Sequence, residues 1–451
     1  MKYSIKIYFL LLITLFSFQS VAQKTNPYDN LGNLLTDMID TTTSIGKSML
    51  SINNRLGKIG FSGYMQPQFQ WAESKGADGN VYNGGDFGPY VNTRFRMRRG
   101  RFRVDYTHLN EDGQPSIYFI FQFDGTERGF FTRDFWGRYY ENKWNLFHFS
   151  AGIMPRPFGY ELLLPSAFRE TPERGRMSQI LMQVERDLGV MVSLNPRRKN
   201  SKFKWFNVDL GVYDGQGLTG PAEYDSRKDI VGRISAKRVH IKSWHAYVSG
   251  GISGYLGGIT SRNPVLYTTE VRNGSPFMRA DSAQSNVGKN AARRYIGADF
   301  QLIFPNRKGQ TELRAEYIRG LQTATATTSV TPGSLPLTVS GTPQPLYTRS
   351  FDGAYFYFLQ HLGSTKHQLV LKYDWYNPNT KVKGKNINSV NGFSAADIRF
   401  DTFGGGYIHH INQYLKLVFW YDHIVNEKTA LKGYEQDLKD GVFTLRSQFI
   451  F

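Results

Sequence analysis

Six arginines crowd one short stretch, Thr93 to Tyr106, which reads T-R-F-R-M-R-R-G-R-F-R-V-D-Y. Arg94, Arg96 and Arg98 alternate with Phe95 and Met97, so an extended chain puts guanidiniums on one face and apolar groups on the other. After Arg99 and Gly100 the phase reverses, and Arg101, Arg103 and Asp105 alternate with Phe102, Val104 and Tyr106. A β-bulge near Arg99 and Gly100 would restore the phase and turn all six arginines to one side. Fixed rows of guanidinium attract anions and lower their barrier to entry. The competing reading is a wet wall whose arginines are neutralised by carboxylates of neighbouring strands. Nearby acidic residues are too few to pair all six, which favours anion guidance.

A second constellation lies at 155–185. It holds Arg156, Arg169, Arg174 and Arg176 beside Glu161, Glu170 and Glu173, with apolar Leu162, Leu163, Leu164 and Phe168. An exposed loop gains nothing from that apolar run. Folded into a hollow body and packed on its wall, the loop would bury it, narrow the passage and bring its arginines to the constriction. The alternative is an outer cap on the rim. The candidate solute-contacting set is therefore Arg94, Arg96, Arg98, Arg99, Arg101, Arg103, Arg156, Arg169, Arg174 and Arg176.

Enzyme signatures are poor. Gly60-Phe61-Ser62-Gly63-Tyr64 lacks the last glycine of a nucleophile elbow. His409 with His410, and His240 with His245, lack the spacing and carboxylate support of a metal site. Gly404-Gly405-Gly406 falls inside a strand rather than before a helix, which indicates close backbone approach or a kink and not a phosphate cradle. No catalytic activity, metal or cofactor is expected.

The elements that must position these arginines have a period of two. Strands are expected near 59–72, 92–107, 115–124, 132–141, 144–154, 186–195, 203–214, 228–239, 244–256, 292–304, 310–320, 351–361, 366–376, 398–409, 413–424 and 440–451. That is about sixteen, each near the length a tilted strand needs to cross a membrane. Short links at 142–143, 240–243, 305–309, 362–365 and 410–412, and moderate ones at 108–114 and 196–202, alternate with long ones. The long links are 73–91, 155–185, 215–227, 257–291, 321–350, 377–397 and 425–439, and only 125–131 breaks the alternation. A soluble sandwich has no reason to alternate so. A transmembrane antiparallel β-barrel does, with short turns at the periplasmic end and long loops outside. The long links are rich in turn residues and need no packed core of their own. Arg233, Arg314, Lys372 and Asp374 sit at inward positions of their strands and point to a mixed-sign network across the barrel.

The start of the chain sets the route. Lys2 and Lys6, an apolar run from Ile7 to Phe18, and Ser20-Val21-Ala22 form a secretory signal peptide over 1–22. The formal charge of +18 becomes +16 once Lys2 and Lys6 are removed, and export argues against nucleic acid as its partner. Zero cysteines exclude a disulfide framework. From 23–57 into the first expected strand, Leu31, Met38, Ile45, Ile52 and Ile59 recur every seven residues, with Leu35, Met49 and Leu56 on the neighbouring stripe. This predicts a helical periplasmic segment, acting as a coil or a plug, ahead of a barrel at 58–451.

In the last strand Phe443, Leu445, Phe449 and Phe451 share one face, and Thr444, Arg446 and Gln448 the other. A terminal Phe451 resembles the signal read by the outer-membrane assembly machinery. Ordered stretches along the barrel resemble the phosphate-selective porin O/P family. They are R-R-G-R at Arg98–Arg101, A-G-I-M-P-R-P-F-G-Y-E at Ala151–Glu161, E-R-D-L-G-V at Glu185–Val190, G-V-Y-D-G-Q-G at Gly211–Gly217, D-I-V-G-R at Asp229–Arg233, Y-D-W-Y-N-P at Tyr373–Pro378, and the end at Arg446–Phe451. The resemblance implies a sixteen-stranded, homotrimeric channel with an inward third loop and an arginine-lined path, in which Arg98 and Arg99 match the family's lumen pair. The family's lysine cluster has no counterpart here, and the third loop carries glutamates beside its arginines.

Together these readings predict an outer-membrane porin of a Gram-negative bacterium. It would pass small anionic hydrophilic solutes, phosphate or polyphosphate among them, by passive diffusion. The rival from another class is a non-conducting structural or assembly barrel, motivated by the N-terminal segment. A plugged, energy-coupled receptor of 22 strands would need a much longer chain.

Overall fold

The computed structural model describes residues 59–76, 87–183, 185–198, 201–218, 223–333 and 335–451. The expected signal peptide at 1–22 and helical segment at 23–57 lie outside the described residues.

Period-two alternation folds here into one closed antiparallel barrel of sixteen strands. In chain order its strands are β1 (Ile59–Ala72), β2 (Thr93–Leu109), β3 (Pro115–Thr126), β4 (Gly129–Tyr140), β5 (Phe147–Pro155), β6 (Arg186–Leu194), β7 (Phe206–Tyr213), β8 (Asp229–Ile241) and β9 (Ala246–Thr260). The hairpin β10 (Val265–Arg272) and β11 (Ser275–Ser282) stands in the next connection. Then come β12 (Asn290–Asn306), β13 (Gly309–Ala324), a miniature hairpin of β14 (Thr338–Val339) and β15 (Thr342–Pro343), β16 (Leu346–Leu362), β17 (Ser364–Asn377), β18 (Phe400–His410), β19 (Leu415–Asn426) and β20 (Val442–Ile450). Each barrel strand pairs with the next, and β20 returns to β1, with Arg446 opposite Gln68 and Phe443 opposite Trp71. Beyond β20, Phe451 exchanges backbone hydrogen bonds with Gly63 at 3.1 and 3.0 Å. Its ring lies where a Cβ on residue 63 would stand, so glycine is required there.

The wall is polar inside and apolar outside. Gln66, Gln68, Arg101, Asp134, Arg233, Asp299, Glu316 and Arg446 are buried in the interior, while Phe61, Phe119, Phe121, Leu188, Ile234, Ile252, Phe300, Leu371 and Phe403 are exposed on the outer face. Leaving such side chains in water forgoes roughly 2 kcal/mol each. Lipid is the solvent that suits this face, and a closed, even-stranded antiparallel barrel is how a Gram-negative outer membrane is spanned. No helix among the described residues is long and apolar enough to cross a membrane.

The phase reversal in β2 has the expected cause, one residue earlier than anticipated. Met65 of β1 faces Gly100 but Pro67 faces Met97, so Arg98 and Arg99 share the space opposite Gln66. A second bulge in β4 sets Gln122 opposite Asp134 and Phe123 opposite Thr132, leaving Arg133 as the extra residue. In β18, Gly404 and Gly406 lie under the Trp420 indole, where a Cβ would collide. This is the close approach expected of the glycine run.

The long connections depart from expectation. They build small cores: Val382, Ile387, Phe393 and Ile398 pack with Phe400 and Ile424, and Leu335 and Leu346 pack with Ile259 and Ala291. β10 lies parallel on β16, Leu266 to Thr268 against Leu346 to Thr348. Period-two strands outside the membrane were hidden within links dominated by turn residues.

Candidate functional site

The connection 156–185 crosses the lumen. Its neck is closed by the Arg156 N–H donating to the Glu185 carbonyl at 3.1 Å. From there it touches strand after strand. The Gly159 amide donates to Ser253 Oγ of β9 at 3.0 Å, and the Tyr160 and Glu161 amides donate to Glu316 Oε2 of β13 at 3.1 Å each. Tyr357 Oη of β16 donates to Glu161 at 2.8 Å, and the Arg176 amide donates to Asp374 Oδ1 of β17 at 2.9 Å. Lys416 Nζ of β19 donates to the Ala167 and Arg169 carbonyls at 3.1 Å, and Arg446 Nη1 of β20 donates to the Pro172 carbonyl at 2.7 Å. One helical turn and a half, α1 (Arg176–Leu181), follows. Leu162, Leu164, Met177 and Leu181 are buried, and Leu162, Met177 and Leu181 share one core with Tyr355, Tyr357 and Phe351 of the wall.

A second connection also enters. The Thr331 amide donates to the Ile180 carbonyl at 3.0 Å and Thr331 Oγ1 to the Leu181 carbonyl at 2.6 Å, while Gln322 Nε2 holds the Ser329 carbonyl at 3.1 Å. This contact was not expected, because the segment's Thr, Gly and Pro content reads as a solvated loop.

Between these loops and the β1–β4 wall lies a cavity of about 390 Å³. Arg94, Arg96, Arg98, Arg99 and Arg101 of β2, Arg133 of β4, and Arg169 and Arg174 of the third loop line it, against Asp124, Glu173 and Glu185. Eight arginines and three carboxylates leave a net of five positive charges. Seven of the ten sequence-predicted residues thus meet in one space. The other three do not reach it. Arg103 bonds Asp105 at 3.3 Å and also Tyr118 Oη, further along β2 than Arg101. Arg156 donates to Tyr255 Oη at 3.2 Å and lies 3.7 Å from Asp187. Arg176 stacks on the Phe400 ring at 3.5 Å and lines a smaller neighbouring cavity with Lys372, Asp374 and Asp422.

The carboxylates are held by guanidiniums. Glu173 is bound by Arg98 at 2.6 and 2.9 Å, by Arg99 at 2.9 Å and by Arg446 at 3.2 Å. Glu185 is bound by Arg133, by Arg174 at 3.1 Å and by Arg186 at 2.7 Å. Burial alone would raise both carboxyls. The clustered arginines outweigh it and hold both well below the usual carboxylate range. Arg101 pairs with Asp124 at 3.2 Å, and Arg94 donates to Gln70 at 2.9 Å and stacks on Phe87. So pairing within the wall is more extensive than composition suggested, yet the cavity keeps its positive excess. Across the barrel, Arg233 with Asp299, Arg314 with Glu170 and Glu312, and Lys372 with Asp374 form the expected mixed-sign network.

Arg133, Arg186 and Arg446 were missed as site residues. Arg133 had a readable signal: two adjacent charges, Arg133-Asp134, inside a strand demand a bulge if both are to avoid lipid, as Arg98-Arg99 do. Among the described residues, no three His, Asp or Glu side chains are grouped to hold a metal ion.

No protein-family model matches the chain, and no curated protein matches it in sequence. Solved structures do. The outer membrane channel DcaP of Acinetobacter baumannii aligns over 87% of this chain and 97% of its own, at 11% identity and a TM-score of 0.51. The trimer form of OmpT, an outer membrane protein of Vibrio cholerae, aligns over 87% and 99%, at 10% identity and a TM-score of 0.49. A mutant of the Rh. blastica porin aligns over 87% and 100%, at 11% identity and a TM-score of 0.41. At such identities the likeness concerns the fold. With sixteen strands closed on themselves, a lipid-facing outer wall and a third loop laid across the lumen, this chain is an outer-membrane β-barrel of porin architecture.

Proposed function

We propose that the protein is a passive diffusion channel for small hydrophilic anions, enriched at the arginine-lined cavity and passed beside the third loop. The observation that carries this is the positive excess of the cavity lining, set on a barrel strand that a bulge keeps facing inward. Lys or Arg on the lipid face would cost about 2–4 kcal/mol each at the midplane, so the lumen is where such a column can stand. Inside, it lowers the entry barrier for anions and raises it for cations. Phosphate falls within this class, as the O/P-family resemblance of the Arg98 and Arg99 pair implies. Assembly as a homotrimer, delivered by recognition of Phe451, belongs to the same reading.

Swelling of liposomes that carry the purified protein tests it. Anionic solutes should enter faster than neutral or cationic ones of equal size. Faster entry of the cationic solute would overturn the selectivity, and impermeability to all three would favour the non-conducting structural barrel. Native mass measurement in detergent checks the trimer, a monomer being the contrary result.

A further inference from the structure

The three third-loop carboxylates that meet arginines are not equivalent. Glu170 lies off the cavity with 14% of its side chain exposed; Glu173 and Glu185 both border it, Glu173 with 26% exposed and Glu185 with only 10%. The groups around Glu173 come from the barrel. Arg98 and Arg99 project from the β2 bulge, and Arg446 comes from β20, which pairs with the far edge of β1. Four guanidinium N–H groups reach its two oxygens at 2.6, 2.9, 2.9 and 3.2 Å. Arg446 is itself braced by Gln68, whose Oε1 accepts from Arg446 Nε at 2.9 Å. Rigid strands therefore aim planar donor forks at one point, which is the array that recognises an oxyanion. The carboxylate filling that point belongs to a loop.

We propose that Glu173 is a tethered competitor, its carboxylate occupying an oxyanion-binding site made by Arg98, Arg99 and Arg446 that a permeating phosphate or carboxylate must share or exchange into. The proposal rests on reading the lumen as an anion path. A tethered group acts at high effective concentration. It therefore weakens the hold of the site on passing anions, and weak holding is what lets an ion leave as well as enter. Glu173 stays ionised through the neutral range because of the same three arginines, so the exchange answers to anion concentration rather than to pH.

The test uses the full chain in planar bilayers, with inorganic phosphate titrated into potassium chloride as the probe. Three proteins are compared: wild type, Glu173→Gln and Glu170→Gln. Glutamine keeps the shape and an acceptor oxygen but removes the competing charge. In Glu173→Gln, phosphate should depress the chloride current at a concentration about tenfold lower than in wild type, the worth of one charge-assisted hydrogen bond. Glu170→Gln, which removes the charge from its ion pair with Arg314, should respond as wild type. An anion-selective Glu173→Gln channel with the wild-type phosphate response overturns the competitor and leaves the anion path standing. An equal shift in Glu170→Gln also overturns it, because loosening of the loop would then be the cause. A cation-selective wild type overturns the underlying reading, before any variant is compared. Should Glu173→Gln fail to assemble, Glu173→Asp, which withdraws the carboxylate by one methylene, should shift the response in the same direction. No shift there overturns the proposal.

Discussion

Changing Arg94, Arg96 and Arg101 to alanine together should lower the anion preference about tenfold. These three line the cavity without touching Glu173, so its clamp is spared. Their loss takes the net lining charge from five to two. A sphere equal in volume to the cavity of about 390 Å³ has a radius of about 4.5 Å, so guanidinium centres stand ~8 Å from its middle. At that distance, in water and 0.1 M salt, each net charge shifts the energy of a monovalent ion by about 0.2 kcal/mol. Five such charges favour an anion by about 1.2 kcal/mol and oppose a cation equally, for a permeability ratio of about 50; two charges give about 5. In 1 M salt the shorter screening length brings even the wild type down to about 2. Zero-current potentials in bilayers, measured for both proteins at both salt concentrations, read these ratios directly. An unchanged ratio in the triple variant, or a wild-type ratio indifferent to salt, would refute the electrostatic argument and leave the arginines a purely structural role.

The remaining expectations concern what holds the lumen in shape. Arg233 and Asp299 pair with both side chains 1% exposed, so Arg233→Met should cost about 3–5 kcal/mol in urea unfolding, with Asp299→Leu in the same chain recovering most of it. Glu316 accepts the Tyr160 and Glu161 amides at 3.1 Å and Tyr355 Oη at 2.7 Å, and Glu316→Gln should weaken that anchor by about 1–3 kcal/mol, seen as larger single-channel noise; a trace as quiet as wild type would count against it. Asp440, in the loop before β20, is pushed up to about 7 by burial, with Asp437 and Glu73 adding to the rise and Arg176 opposing it; neither of its carboxylate oxygens finds a hydrogen-bond partner among the described residues. Its unfolded value is about 3.9, so the folded loop holds a proton that the unfolded one releases, and stability falls as pH rises from about 4 to 7. The loop should therefore resist proteolysis better at the acid end of that window, and Asp440→Asn should remove the difference.

The strands were legible because lipid on one side and water on the other impose a period of two on every one of them. The clearest case is β2, where the broken phase around Arg99-Gly100 discloses a bulge that the strand makes one residue earlier, at Arg98-Arg99. The inward third loop was legible from an apolar run, Leu162 to Leu164, that has no business in water. What escaped depends on partners far apart in sequence. Nothing near Arg446 announces that it meets Glu173, because the contact exists only once β20 closes on β1. Nothing in the Thr-rich connection after β13 announces that Thr331 will cap the end of α1. Arg156 and Arg176 were placed at the constriction because they share the loop with Arg169 and Arg174, yet the loop's path turns them toward Tyr255 and Phe400.

The sign of the wild-type zero-current potential across a tenfold gradient of dilute potassium chloride bears most directly on the central claim. A channel governed by its arginine-lined cavity gives the polarity set by chloride. The polarity set by potassium, or a membrane that stays insulating with the barrel inserted, would contradict it.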